Sequence, residues 1–240
     1  MCVLACAWRA HEECPLVAIA NRDEFHARPA APLARWDSGI LAGRDLRSGG
    51  TWLGVGPKGR FVALTNLRSD TAPDPAAPSR GGLVTALLEG VTEPAAVALD
   101  AYSPFTLVSL AADQAWLLSN RPEPTRRALG PGIHGLTNGP FDRPWPKLAG
   151  LEAALAAWLA RGEPDPEPLF AALADERVPE GAFDEATALP AFIRRPVYGT
   201  RCSTVVTVNA EGRGRIVERR FAESGETTGE TALDFAWPSP

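Results

Sequence analysis

The sequence predicts an α+β fold built mostly of antiparallel strands. Three observations carry that expectation: short apolar runs joined by polar turn segments in the first half, helical runs concentrated in the middle, and another hairpin pattern near the end. Strands at both ends then enclose central helices. No repeat or composition shift divides the 240 residues, so the chain reads as one domain, 1–240, whose terminal and central segments share sheets.

Cys2 to Ala7 and Leu16 to Ala20 are apolar runs joined by the polar stretch Arg9 to Cys14, a hairpin pattern. A turn near His11 and Glu12 sets Cys2 opposite Asn21 at the end of the second strand. Thr51–Gly56 and Phe61–Asn66 flank Pro57-Lys58-Gly59-Arg60, a turn of suitable chemistry and so a second hairpin. Ser69 to Pro78 is Pro-rich and reads as a surface loop of a length that suits a flap.

Ser79 is an N-cap candidate for a helix through Leu83 to Glu89 that ends at Gly90, and Thr92-Glu93-Pro94 opens a second helical run to Tyr102. Thr106–Leu110 and Ala115–Leu118 return to strand. Trp145 to Ala160 places Leu148, Leu151, Leu155, Trp158 and Leu159 on one helical face before Gly162. Leu169–Leu173 resumes helix after a Pro-rich break, and Cys202–Asn209 with Gly214–Phe221 forms a closing hairpin.

The composition is 45% hydrophobic and 22% charged with a net charge of −5, that of an ordinary globular chain. All basic residues but Lys58 and Lys147 are arginines, scattered rather than massed, so nucleic acid is not an expected partner. No run is long enough for a membrane span, and the start lacks the layout of a secretory signal. Four cysteines, Cys2, Cys6, Cys14 and Cys202, are too few and too irregular for a disulfide scaffold or a paired zinc site. A reducing, cytoplasmic location is the expectation. His11, His26 and His134 have no metal-ligand spacing and read as surface or capping residues, so no metal or cofactor is expected. Oligomeric state is left open.

The chemistry concentrates at the second residue. On removal of Met1, Cys2 carries a thiol and a free α-amine on one carbon, with ordinary pKa values of about 8.5 and about 8. The amine can then accept the thiol proton directly or through a water, so one residue supplies nucleophile and base. Asn21-Arg22-Asp23-Glu24 follows the second strand and reads either as a solvated exit or as a charged cluster beside the thiol. In the second case Arg22 lowers the thiol pKa and binds a substrate oxygen, while Asp23 orients the α-ammonium or holds Arg22. Adjacent strand residues point to opposite faces, so one of the two is expected to miss the thiol. The glycines of Gly49-Gly50-Thr51-Trp52-Leu53-Gly54 fit either close approach to a ligand or tight packing, with Trp52 a candidate pocket wall. Cys6 shares a strand face with Cys2 and reads as core.

These motifs, with Ala63-Leu64-Thr65-Asn66, Ser79-Arg80-Gly81, Gly135-Leu136-Thr137-Asn138, Pro144-Trp145-Pro146-Lys147-Leu148 and Tyr198-Gly199-Thr200-Arg201, resemble in order the NRDE family, also called the transport and Golgi organisation family. That family is similar to the N-terminal nucleophile hydrolases of the penicillin V acylase and choloylglycine hydrolase branch. The resemblance implies a four-layer αββα sandwich and a hydrolase that cleaves a non-peptide C–N amide of a small acyl or lipid-like substrate. It implies a catalytic set of Cys2, Arg22, Asp23, Asn66, Asn138 and Arg201, with Asn21, Trp52, Thr65 and Thr137 as substrate-binding candidates. The alternative it carries is a non-catalytic binding or trafficking protein for a hydrophobic ligand such as a lipid, an acyl-CoA or haem. Haem would draw its axial donor from His26, His134, the cysteines or Tyr198.

Overall fold

A computed structural model of the chain describes residues 2–69, 74–162 and 164–238. One six-stranded sheet comprises β1 (Val3–Trp8), β2 (Leu16–Phe25), β10 (Gly132–Leu136), β11 (Tyr198–Val208), β12 (Arg213–Phe221) and β13 (Thr227–Ala236), in the order β10-β1-β2-β11-β12-β13. The seven-stranded sheet runs in chain order: β3 (Ala30–Arg35), β4 (Leu41–Asp45), β5 (Leu53–Gly56), β6 (Arg60–Asn66), β7 (Phe105–Ala111), β8 (Ala115–Ser119) and β9 (Thr125–Ala128). Strand pairing is antiparallel in both.

Period-two alternation decides what each strand buries. Leu4, Cys6, Trp8, Ala18 and Ala20 of the first sheet meet Leu53, Val55, Phe61, Val108 and Leu110 of the second in a core between the sheets. The opposite face of the first sheet, with Val3, Ala5, Val17 and Ile19, is covered by α2 (Lys147–Arg161) and α3 (Glu167–Leu173) through Leu148, Leu151, Leu155, Leu169 and Leu173. The opposite face of the second sheet is covered by α1 (Arg80–Glu89) through Leu83, Val84, Leu87 and Leu88. Ser79 Oγ accepts from the Gly82 N–H, and Gly90 takes the left-handed conformation that ends α1, as its sequence predicts. The layers are therefore α, β, β, α.

Three expectations need correction. The run from Thr92 to Tyr102 is not an α-helix but two 3₁₀ turns, Pro94–Ala96 and Leu99–Ala101. Side chains from elsewhere take its carbonyls: Asn120 Nδ2 donates to Leu99 O and Tyr102 O, and Arg126 donates to Val97 O. Second, β2 does not stop at Ala20. It continues through Asn21, Arg22, Asp23 and Glu24 because β11 supplies pairing partners up to Tyr198. Third, the β1–β2 register pairs Val3 with Asn21, so Cys2 lies across from Arg22 and not Asn21. A one-residue slip exchanges the faces of every side chain, and it moves Arg22 to the face of Cys2.

Candidate active site

β1 opens onto a cleft of about 950 Å³ at the end of the sandwich, lined among others by Cys2, Arg22, Asp23, Asn66, Asn138 and Arg201. Six candidates spread from position 2 to position 201 thus meet in one place. Met1, and with it the processing step, lies outside the described residues, as does the middle of the Pro-rich loop. Of that loop Asp74, Pro75, Ala77 and Pro78 line the cleft.

Cys2 is half-buried, and its Sγ donates to the Asp23 main-chain carbonyl at 3.8 Å. Burial pushes the thiol above the ordinary range and the charge of Asp23 adds to this, while the bond to that carbonyl and the charge of Arg22 act the other way. Arg22 points to the inter-sheet side: Nη2 donates to Asp45 Oδ2 at 3.1 Å, and Nη1 is buried without a partner among the described residues. Asp45, at the end of β4, also accepts from Arg28 Nε at 2.5 Å and from the Ser48 N–H and hydroxyl at 2.9 Å each. Burial disfavours its charge, but these hydrogen bonds and Arg28 outweigh it and hold the carboxyl down at about 2.

Asp23 points the opposite way, as strand alternation requires. Its Oδ1 accepts from Thr200 Oγ1 at 2.7 Å and its Oδ2 lies 3.7 Å from Lys147 Nζ at the start of α2, with both side chains fully enclosed. Arg22 therefore shares the face of the thiol, while Asp23 reaches the cysteine through its main chain and stands behind it.

Asn66, exposed at the end of β6, and Asn138 are brought together: Asn138 Nδ2 donates to Asn66 O at 2.6 Å and Arg68 N–H donates to Asn138 O at 2.9 Å. Asn138 Oδ1 is buried without a partner among the described residues. Arg201 Nη1 donates to the carbonyls of Phe25, His26 and Arg28, holding the turn that presents Arg28.

The substrate-binding candidates divide. Trp52 lines the cleft. Asn21 does not: it is fully buried behind the sheet, where Nδ2 donates to Leu173 O and Ala191 O and Oδ1 accepts from Ser203. Thr65 donates to Thr137 O, and Thr137 Oγ1 accepts from the Gly139 and Trp145 N–H groups, so both lie outside the lining and hold the Asn138 turn to the start of α2. Gly50 and Gly54 resolve toward packing: a Cβ on Gly50 would sit 2.4 Å from Gly81 C, and one on Gly54 would meet Ala42 and also Leu88 of α1, while Gly49 serves a turn at φ +76° with open space around it.

Cys6 is core, and burial drives its thiol up to about 12. Cys202 does line the cleft, with burial and then Glu218 raising its thiol well above the ordinary range. His26 and His134 are bonded to the carbonyls of Arg195 and Gly130 outside the cleft, leaving Cys2, Cys202 and Tyr198 as the lining residues among the haem donors considered. Sequence reasoning missed Asp45, Lys147 and Arg80 as members of the site. Lys147 and Arg80 sat in motifs that signalled them, whereas Asp45 had no such signal.

Two face-to-face antiparallel sheets with helices on both outer faces define a four-layer αββα sandwich, with a cysteine just ahead of β1 on its cleft. More narrowly, the chain belongs to the Transport and Golgi organisation 2 family, whose model matches residues 1–223. It is similar to the Transport and Golgi organization protein 2 homologs of Bos taurus, 31% identical with 90% of each chain covered, and Homo sapiens, 30% identical with the same coverage. The Drosophila melanogaster protein of that name is 28% identical over 85% of each chain. Among solved structures, a Caenorhabditis elegans N-acylethanolamine-hydrolyzing acid amidase ortholog superposes with a TM-score of 0.46 at 15% identity, covering 85% of this chain and 91% of that one.

Proposed function

We propose that the protein is a cysteine amidohydrolase of the N-terminal nucleophile type, cleaving a non-peptide C–N amide of a small acyl or lipid-like substrate. The observation that supports this reading is the convergence of Cys2, Arg22, Asp23, Asn66, Asn138 and Arg201 on one cleft. Once Met1 is removed, the α-amine of Cys2 takes the thiol proton, which a thiol raised by burial requires. The thiolate attacks the amide carbonyl, and the exposed Asn66 amide donates to the oxyanion. Asn138 is less free to do so, since Nδ2 is engaged with Asn66 O; its open Oδ1 accepts instead from an N–H on the amine or the substrate. Collapse breaks the C–N bond, the amine leaves with the proton, and water hydrolyses the thioester. Arg201 acts at one remove by fixing the Arg28 turn.

A second reading is supported by the same raised thiol, which is a weak nucleophile until its proton is taken, and by the transport naming of the relatives. In it the cleft carries a lipid, acyl or haem ligand without turnover. One experiment separates the two: intact mass of the purified protein, then turnover of an acyl-amide panel by the unsubstituted protein and Cys2→Ala. The hydrolase reading expects loss of Met1, turnover, and at least about a thousandfold loss in the variant. Retained Met1, or equal inactivity of both proteins with ligand still bound, decides for the carrier. We place either activity in the cytoplasm; no helix among the described residues is long and apolar enough to cross a membrane, and all four thiols are free.

A further inference from the structure

The cleft holds a cation that the chemistry at Cys2 does not use. Arg80 is the first residue of α1, half-buried in the cleft wall, with Nη1 donating to Pro104 O at 2.7 Å. Its neighbours have carboxylate partners: Arg22 and Arg28 share Asp45 and approach Glu24 at 4.0 and 3.7 Å. Among the described residues no carboxylate lies within 4.0 Å of Arg80, and Glu24, whose charge acts weakly in its favour, is already divided between the other two arginines.

Three local fields oppose this charge. Burial is the largest, the Arg28 cation adds to it, and the N-terminal end of α1 contributes the partial positive charge of its dipole. A guanidinium held against all three is compensated when an anion occupies the space in front of it. The wider cleft agrees. Its lining carries seven arginines against five carboxylates, on a chain whose net charge is −5. Positive charge is therefore focused where a ligand enters.

We propose that Arg80, with Arg28 beside it, binds the anionic group, a phosphate or a carboxylate, of a ligand whose apolar part runs along Leu64 and Leu67 toward Asn66 and Cys2. The backbone sets that path. Pro104 O accepts both from Arg80 and from the Leu67 N–H at 3.1 Å, so the guanidinium is anchored one residue beyond Asn66. Leu64 and Leu67 are cleft-lining and almost fully buried. The ligand class is thus an amphiphile with an oxyanion at one end. This assignment rests on the reading of the cleft as the ligand site, and it does not require Cys2 to be a nucleophile.

The test uses the Cys2→Ala protein, so that presence or absence of turnover does not enter. Octyl phosphate, octanoate and octanol are titrated by calorimetry at low and high salt. At least one of the two anions is expected to bind about tenfold or more tightly than octanol and to weaken with salt, as octanol does not. Whichever anion binds more tightly identifies the source of the charge. Adding Arg80→Met removes about that tenfold advantage, and Arg80→Lys, which keeps the charge and a donor for Pro104 O but loses the fork, retains part of it. Equal affinity for octanol and both anions overturns the proposal, as does anion binding that neither salt nor Arg80→Lys weakens, a readout that stands even if Arg80→Met does not fold. Absence of binding by all three probes overturns it too.

Discussion

Asp23 and Lys147 show how much one buried ion pair can carry. Their side chains are 0% and 1% exposed, and Nζ lies 3.7 Å from Oδ2. A lysine at the first turn of α2 also faces the positive end of the helix dipole, so its burial there needs the carboxylate. Lys147→Met leaves Asp23 enclosed without its lysine and is expected to cost about 3–5 kcal/mol. Asp23→Asn should cost a similar amount, and the double variant less than the sum. Urea unfolding of the three proteins measures this, and single losses under about 1 kcal/mol would show that the pair does not hold α2 to β2. The sequence displayed Lys147 inside a motif but offered no reason to bury it, because the partner lies more than a hundred residues away.

At the scale of elements, glycines decide how closely the layers approach. A Cβ on Gly50 would lie 2.4 Å from Gly81 C and 2.5 Å from Gly81 O, and backbone cannot swing aside. Gly50→Ala is therefore expected to destabilise by about 1–3 kcal/mol through displacement of α1. Gly150, inside α2 with nothing within 4 Å of its added Cβ, gives the opposite sign: Gly150→Ala stabilises by about 0.5–1 kcal/mol. Thermal melts of both variants test the contrast, and equal shifts would refute it. The elements readable in advance were those with strong periodicity or caps, such as α1 between Ser79 and Gly90 and the β5–β6 hairpin. β3 was hidden by Pro32, which is tolerated because β3 is an edge strand with a bulge between Ala31 and Ala34. β13 was hidden because its inward face, Gly229, Thr231, Leu233 and Phe235, is only half apolar.

Across the whole molecule, the candidate catalytic residues could be assembled from motif order, but the charges that connect the two sheets could not. Asp45 belongs to the seven-stranded sheet and binds Arg22 of the other. Glu218 belongs to the six-stranded sheet and accepts from the Leu33 N–H of the other at 2.8 Å. Such links depend on inter-sheet packing, which no local pattern encodes. They also make the cleft end of the sandwich acid-sensitive. The Asp45 carboxyl is held at about 2 in the folded protein against an ordinary 3.8, so the folded state binds its proton less readily than the unfolded chain. Its contribution is complete above the unfolded value and is lost as pH falls through about 2. The difference corresponds to roughly 2 kcal/mol. Asp45→Asn should therefore lower the urea-unfolding free energy by about that amount at neutral pH, and the gap to the unsubstituted protein should close between about pH 4 and about pH 2. A gap that stays constant over that range would mean that Arg22 and Arg28 hold the sheets together without the charge of Asp45, and that the acid sensitivity of this end has another source.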